Sequence, residues 1–301
     1  MKMDPIDLSA PMARAAAPDL GRFLATRGDV LSAGPVALIF AEDAVELAST
    51  IAHHLDLGFR AVILLAAEGT PVPLDLPGRV HPVRWDRFDA ASVAEAVSAF
   101  GRKAPGTWFY YCYNAEYLFF PYSETRSIGE MLTFHSEERR DAMLTYVIDL
   151  YAGDLAKAPS GVCRQNCYMD RSGYYALERF GADGARAERQ YDFHGGLRWR
   201  FEEHVPADRR RIDRVALFRG KRGMTLWPDH TFSDPEYNTV SCEWHNNLTA
   251  AVCSFRAAKA LKANPGSRHE IPTFWWQNSV WFEWKGRQLL DLGLIEPGQW
   301  F

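Results

Sequence analysis

Apolar runs of strand length alternate with amphipathic segments through the first third of the chain. Residues 36–40 (VALIF) and 61–65 (AVILL) are continuous apolar runs that predict buried strands, and a third strand is predicted at 81–85. Gly58 lies just before the second run and is well placed to end a helix between the first two. The apolar face of that predicted helix consists of Ala44, Leu47, Ala48, Ile51 and Leu55.

A second amphipathic segment leads into a strongly aromatic run. Asp89 is suited to cap the N-terminus of a helix. The apolar face of this helix is formed by Val93, Ala96, Val97 and Phe100. Residues 107–113 (TWFYYCY) then predict a buried strand. Strands and helices that alternate in this way predict an α/β fold with a mostly parallel central sheet flanked by helices.

The residues that follow the predicted strands are the first candidates for a ligand site, because parallel sheets bind ligands beyond the carboxyl ends of their strands. Glu42 and Asp43 follow the first strand, and Glu68 follows the second. Glu42 and Asp43 can accept hydrogen bonds from ribose hydroxyls or a base, and their alternative role is to cap the following helix. Asn114 and Glu116 lie in a short polar turn after the aromatic strand.

The middle of the chain gives less regular patterns. Residues 143–150 predict a strand from their β-branched and aromatic content, and Asp149 and Asp154 lie at and beyond its end. Arg198 and Arg200 alternate with apolar neighbours, as in a strand that has one polar face. That face can meet phosphate through the planar guanidinium groups, or simply meet water.

The last part of the chain predicts a helix and an aromatic tail. A helix that ends before Asn264 is predicted from the spacing of Leu248, Ala251, Val252 and Phe255. In the tail, Trp281, Trp284 and Leu289 recur at helical spacing, which is typical of packing against a protein body. We therefore expect one α/β domain at 30–264, with a helical C-terminal extension at 265–301 packed on it.

Composition and charge narrow the class of protein. The chain has 301 residues, of which 47% are hydrophobic and 24% charged, as in ordinary globular proteins. The net charge of -4 provides no overall basic field, so we expect no nucleic-acid partner. The first residues lack the apolar core of a signal peptide, and no apolar run approaches the ~20 residues that span a bilayer. We expect a cytoplasmic protein without a transmembrane segment, and peripheral membrane contact stays open.

Several motifs, taken in order, resemble the glycosyltransferase family 2-like proteins of bacteria. The segment 41–65 (AEDAVELASTIAHHLDLGFRAVILL) is similar to the first strand end, helix and second strand of that family. The segment 113–118 (YNAEYL) stands where the family has Asp-x-Asp-Glu-Phe-Leu. Residues 193–201 (FHGGLRWRF) resemble its Gly-Gly-x-Arg-x-Arg element, and 214–232 resemble a strand, a basic turn and a histidine. The resemblance consists of scattered motifs between Val36 and Asn264.

The resemblance implies a glycosyltransferase A-like fold that transfers a sugar from a nucleoside diphosphate donor to a glycan or lipid-linked acceptor. It also implies a divalent metal, manganese or magnesium, with Asn114, Glu116 and His230 as the matching ligand positions. This chain departs from the family at the acidic pair. In one register the pair is replaced by Tyr113 and Ala115, and in the other by Asn114 and Glu116, so at most one carboxylate is kept.

The remaining roles follow from the same resemblance and from transfer chemistry. The nucleotide is expected at Glu42, Asp43 and Glu68. Without a metal, the diphosphate would be neutralised by cationic side chains. The candidates are Arg198, Arg200, Lys221 and Arg222. Direct transfer needs a carboxylate base near the acceptor hydroxyl, and Asp149 and Asp154 are the candidates. The alternative is an inactive transferase-fold protein that binds glycans or acts as a scaffold in polysaccharide assembly.

Overall fold

The computed structural model describes residues 10–11, 17–73, 75–181, 183–242 and 246–300. The strands, numbered in chain order, are β1 (Ala10–Pro11), β2 (Val36–Ala41), β3 (Ala61–Ala66), β4 (Pro71–Val72), β5 (Val80–Arg84), β6 (Trp108–Tyr113), β7 (Glu116–Phe119), β8 (Ala142–Ala152), β9 (Cys167–Asp170), β10 (Tyr175–Phe180), β11 (Arg186–His194), β12 (Asp213–Arg219), β13 (Ala250–Ser254) and β14 (Ser279–Trp281). The helices are α1 (Leu20–Thr26), α2 (Gly28–Ser32), α3 (Leu47–Asp56), α4 (Ala90–Lys103), α5 (Ile128–Glu137), α6 (Gly196–Arg200), α7 (Arg256–Ala263) and α8 (Gly286–Asp291).

The chain forms two compact units. The first unit extends to Tyr117 and also contains Arg126–Ala142 and Val215–Tyr237. The second contains Leu118–Thr125, Met143–Arg214 and the residues from Asn238 onwards. Residues 265–301, which the sequence predicts as an extension, are part of the second unit.

The first unit is built on parallel strands. β2 lies between β3 and β6, and β5 pairs with β3, all in parallel orientation. β12 adds an antiparallel strand outside β6, with Leu217 opposite Tyr110. Every residue of β2 and β3 is buried, which explains why both segments are continuous apolar runs in the sequence. The predicted α/β class, with a mixed and mostly parallel sheet flanked by helices, is confirmed.

The helices of this unit begin and end close to the predicted residues. α3 buries Leu47, Ile51 and Leu55, and Gly58 follows its end at a φ of 97°, a conformation that glycine adopts without strain. The side chain of Asp89 accepts a hydrogen bond from the backbone N–H of Ser92 at 2.9 Å and so caps α4. No helix in the described ranges is long and apolar enough to cross a membrane.

The second unit has a mixed sheet and a separate hairpin. β13 pairs with β8 in parallel, with Ser254 opposite Asp149, and β8, β9 and β14 continue in antiparallel order. β10 and β11 form a two-stranded antiparallel hairpin. The predicted strand at 143–150 is confirmed by β8, which is longer than expected. A compact apolar cluster that includes Tyr151, Leu197 and Phe274 packs beside it.

Three sequence predictions in this unit are wrong. The residues 250–254 form β13 and not a helix, and α7 begins only at Arg256, although it ends before Asn264 as predicted. β13 is buried along its whole length, so the spacing of its apolar residues carries no information about a solvent face. Residues 196–200 form helix α6 and not a strand. The tail has strand β14 and the six-residue α8, so Trp281 is not helical.

Candidate functional site

The carboxyl edge of the parallel strands in the first unit is held together by Asn114. The strand order reverses between β2 and β6, which is where open α/β sheets commonly bind ligands. The Asn114 amide donates to Asp43 Oδ1 at 2.6 Å and to the Val45 carbonyl at 2.9 Å. Its side-chain oxygen accepts the backbone N–H of Glu42 at 3.0 Å. Buried Asn114 therefore fixes the loop that carries both acidic candidates after β2.

Glu116 is also engaged inside the protein. Its side chain is fully buried, and Oε2 accepts the backbone N–H of Tyr113 at 2.9 Å. Ala115, which lies between Asn114 and Glu116, adopts a φ of 60°, and its backbone N–H donates to Thr50 Oγ1 at 2.9 Å. The turn that resembles a metal-binding motif thus closes on α3 through internal hydrogen bonds.

The three predicted metal ligands do not fit a common metal ion as they are arranged. His230 stacks on Tyr111 with ring centroids 6.0 Å apart, and its Nδ1 lies 3.0 Å from the Tyr111 hydroxyl. Asn114 Oδ1 and Glu116 Oε2 each accept a hydrogen bond from a backbone N–H. In the part of the chain that the structure describes, no group of three or more His, Cys, Asp or Glu side chains is placed to hold a metal.

The remaining candidates of the first unit lie at opposite edges of its sheet. Glu68 is exposed in the turn after β3, at the carboxyl edge. Lys221 and Arg222 follow β12, which is antiparallel to β6, so both lie beyond the amino end of β6. Lys221 pairs with Asp234 at 2.7 Å. The structure therefore does not bring these cations to Glu42, Asp43 and Glu68.

A buried polar cluster in the second unit contains the carboxylates of Asp149 and Asp170. Asp149 lies near the end of β8, only 1% exposed, and neither carboxylate oxygen has a hydrogen-bond partner among the described residues. The Arg198 Nε lies 3.6 Å from Oδ1. The backbone N–H groups of Leu197 and Arg198 approach the carboxylate without reaching hydrogen-bond geometry. A buried carboxylate that accepts no hydrogen bond is costly to maintain, so it marks a functional candidate.

The environment of Asp149 raises the pKa of its carboxyl group. Burial raises the pKa of the Asp149 carboxyl to about 6, because the charged form loses its hydration. The Arg198 guanidinium opposes this rise in pKa, and the negative charge of Asp170 adds to it. At pH 7 the group is mostly ionised, yet it binds a proton far more readily than an ordinary aspartate. These are the properties of a general base at neutral pH.

Asp170 is the contrasting member of the same cluster. It is equally buried, but it accepts hydrogen bonds from the Tyr151 hydroxyl, from Trp276 Nε1 at 2.7 Å and from Arg200 Nη1 at 3.1 Å. The Tyr174 hydroxyl donates to its backbone carbonyl at 3.0 Å. Because its charge is neutralised and its oxygens are bonded, we assign Asp170 a structural role that holds Arg200 and Trp276 in place.

Two glycines bring the backbone against Asp149. Gly196 has a φ of 64°, and a Cβ atom at this position would lie 2.8 Å from Asp149 Oδ2. Gly195 lies against the ring of Tyr174 with no room for a side chain. The glycine pair therefore allows α6 to begin directly over the carboxylate, which a larger residue at either position would prevent.

The structure thus unites three of the predicted site residues, Asp149, Arg198 and Arg200, around Asp170. Asp154 lies apart from them: its carboxylate accepts the N–H of Ala156 at 2.9 Å and lies 3.5 Å from Lys157. No sequence pattern points to Asp170, Tyr151 or Tyr174 as site residues. The only local sign of Asp170 is a charged residue at the end of an apolar strand, which is also common on protein surfaces.

A scan of the chain against models of known protein families finds no match, and a search of curated proteins finds no significant match.

Proposed function

We propose that the chain is a glycosyltransferase that moves a sugar from a nucleoside diphosphate donor to a hydroxyl of a glycan or lipid-linked acceptor. The observation that carries this proposal is the Asp149 carboxylate, which is buried, has no hydrogen-bond partner among the described residues and has a pKa of about 6. In this proposal a substrate hydroxyl supplies the hydrogen-bond donor that the carboxylate lacks. The motif resemblance given above supports the choice of transfer chemistry.

In this proposal Asp149 acts as the general base. It takes the proton from the acceptor hydroxyl while the oxygen attacks the anomeric carbon of the donor sugar. The bond from that carbon to the diphosphate oxygen breaks, and the diphosphate leaves with the electron pair. Arg198, at 3.6 Å, keeps enough positive charge near Asp149 for the carboxylate to stay ionised at pH 7.

The first unit, taken by itself, offers acidic side chains that suit a nucleoside. Its parallel strands present Glu42 and Asp43 at the carboxyl edge, and Asn114 fixes the loop that carries them. Carboxylates held in this way accept hydrogen bonds from ribose hydroxyls. In this proposal these acids bind the nucleoside, and no step uses a metal at Asn114 and Glu116, because their side chains are engaged inside the fold.

Donor binding is tested first by calorimetric titration of the purified protein. The probes are uridine and guanosine diphosphates and their sugars, each with and without manganese. Binding of at least one of them is expected, and it should weaken in Asp43→Asn. If no nucleotide of the panel binds under either condition, the transferase proposal is wrong.

Catalysis is tested by release of nucleoside diphosphate from the donor that binds. Replacing Asp149 by Asn removes the base with little change of shape, and a loss of about 10²–10⁴-fold in rate is expected. The matched control is Asp154→Asn, which changes an aspartate outside the cluster and should retain the wild-type rate. An Asp149→Asn variant that turns over like the wild type contradicts the assignment of the base.

A second candidate function is a sugar-binding or scaffold protein without turnover. It is favoured by the turn at 114–116, whose polar side chains are committed to internal hydrogen bonds where a metal-dependent transferase needs free ligands. Sugar binding by the intact protein, combined with no consumption of any nucleotide sugar of the panel, would favour this candidate.

A further inference from the structure

A small pocket opens at the surface of the first unit, apart from the residues of the proposed reaction. Its volume is about 340 Å³, near the lower end of the ~300–1,000 Å³ range of ligand pockets. It lies between the turn at 221–224 and the segment 232–237, and all its lining residues belong to the first unit. The turn follows β12, at the edge of the sheet opposite Glu42 and Asp43. The proposed transfer therefore leaves this pocket unused.

The apolar wall of the pocket is fixed by contacts within the unit. The Phe232 and Tyr237 rings pack edge to face with centroids 5.3 Å apart, and the Tyr237 hydroxyl donates to the Arg219 carbonyl at 2.9 Å. Met224 completes the wall, and its Sδ accepts the backbone N–H of Lys221 at 3.3 Å. Because intramolecular contacts hold these groups in place, a flat apolar body can bind there with little loss of side-chain freedom.

The polar rim of the pocket carries a net positive charge. Its charged residues are Lys221, Arg222 and Asp234. Lys221 Nζ lies 2.7 Å from Asp234 Oδ2, so these two charges offset each other. Arg222 is exposed and has no ion pair among the described residues.

The position of Arg222 gives its charge a meaning that exposure alone does not. An exposed arginine is ordinary on a protein surface. This one lines the same pocket as the apolar wall, so its guanidinium stands beside a surface that suits a ring. A planar carboxylate can accept two N–H groups of a guanidinium in the fork geometry that arginine favours.

We propose that this pocket binds a small aromatic monocarboxylate. The ring of the ligand packs on Phe232, Tyr237 and Met224, and its carboxylate faces Arg222. A single negative charge matches the net charge of the lining. The pocket is too small to enclose a nucleoside diphosphate sugar, so this ligand differs in class from the donor of the proposed function. The inference does not depend on that function.

The pocket is tested by ligand binding to the full chain with no nucleotide present. The probes are benzoate, 4-hydroxybenzoate and indole-3-carboxylate, observed by saturation-transfer NMR and by titration. The comparison compounds are benzamide, which has the ring without the charge, and acetate, which has the charge without the ring. We expect at least one aromatic carboxylate to bind with a Kd of about 1 mM or below, and about tenfold or more tightly than benzamide or acetate.

Variants of the cation locate the bound ligand. Arg222→Gln should weaken the binding of the aromatic carboxylate by about tenfold or more, and Arg222→Lys, which keeps the charge without the fork, should retain part of it. The matched control is Arg209→Gln, because Arg209 is also exposed but belongs to the second unit. It should leave binding unchanged. Both sites are exposed, so the variants should unfold in urea at the wild-type midpoint, which separates lost binding from lost folding.

Three results would overturn the proposal. The first is that no aromatic carboxylate of the panel binds the wild type. The second is that one of them binds Arg222→Gln as tightly as the wild type. The third is equal affinity of the wild type for benzoate and benzamide, which would show that the charge of the ligand plays no part.

Discussion

Replacing Asp149 by Asn should make the protein more stable at neutral pH while it removes the proposed base. The pKa of this carboxyl rises from 3.8 to about 6 on folding, chiefly through burial. This shift of about 2 units corresponds to about 3 kcal/mol at 1.36 kcal/mol per unit. Asn has nearly the same shape and no charge, so Asp149→Asn should raise the free energy of unfolding by up to about 3 kcal/mol at pH 7.5.

The sign of the pH dependence follows from which state holds the proton. Between pH 4 and 6, the folded protein binds a proton at Asp149 and the unfolded chain does not. The contribution of this group to stability therefore falls as pH rises through this range. Above about pH 6 the carboxylate is charged in both states and its destabilising effect is complete. Below about pH 4 it is protonated in both states, and the wild type should resemble the variant.

The measurement is urea unfolding of the wild type and of Asp149→Asn at several pH values from 4 to 8, with the shift in midpoint converted to free energy. The control is Asp154→Asn, since Asp154 lies at the surface and its pKa is lowered by the N–H of Ala156. That variant should show no gain at pH 7.5. A destabilised Asp149→Asn, or a gain of the same size at pH 4 and pH 8, would refute the reasoning that the cost of burying the Asp149 charge exceeds its attraction to Arg198.

Three further predictions follow from the same structure. The value of kcat/KM should fall about tenfold per pH unit below pH ~6 in a pH–rate profile, because a protonated Asp149 accepts no proton, and a flat profile from pH 7 to 5 contradicts this. Asn114→Ala should destabilise the protein by roughly 1–3 kcal/mol in urea unfolding, because the three hydrogen bonds from its side chain to the loop after β2 are lost. An unchanged unfolding midpoint would show that these hydrogen bonds do not stabilise the loop. Gly196→Ala should reduce activity, and it should destabilise the protein more than Gly184→Ala does. Both glycines have positive φ, but only at Gly196 would the added Cβ clash with another group, the Asp149 carboxylate. Equal losses of stability would show that backbone strain alone explains both effects.

The elements of the first unit follow closely from local sequence patterns. β2 and β3 are buried on both faces, so each is a short continuous apolar run, and the α3 and α4 helices between strands show one apolar face. Asp89 and Gly58 mark helix ends through backbone chemistry that depends only on neighbouring residues. Such features can be predicted from sequence because their causes lie within a few residues of one another.

The elements of the second unit are harder to predict from sequence, because tertiary contacts override the local pattern of apolar residues. β13 was predicted as a helix, and complete burial against β8 makes it a strand whose apolar spacing is uninformative. α6 was predicted as a strand, and its conformation depends on Gly195 and Gly196, which allow the backbone to approach Tyr174 and Asp149. Both outcomes depend on residues far away in the sequence.

The sequence by itself determined the α/β class and the residue types at the ends of the strands. Its patterns also pointed to Asp149, Arg198 and Arg200 as candidate site residues. Only the tertiary structure decided what each does. It buried Asp149 without a hydrogen-bond partner among the described residues, and it surrounded the carboxylate of Asp170 with donors. Two aspartates of identical chemistry thereby have different environments, and we propose different roles for them. The physical reason is that burial and the number of nearby donors set the cost of a charge, and both depend on long-range packing.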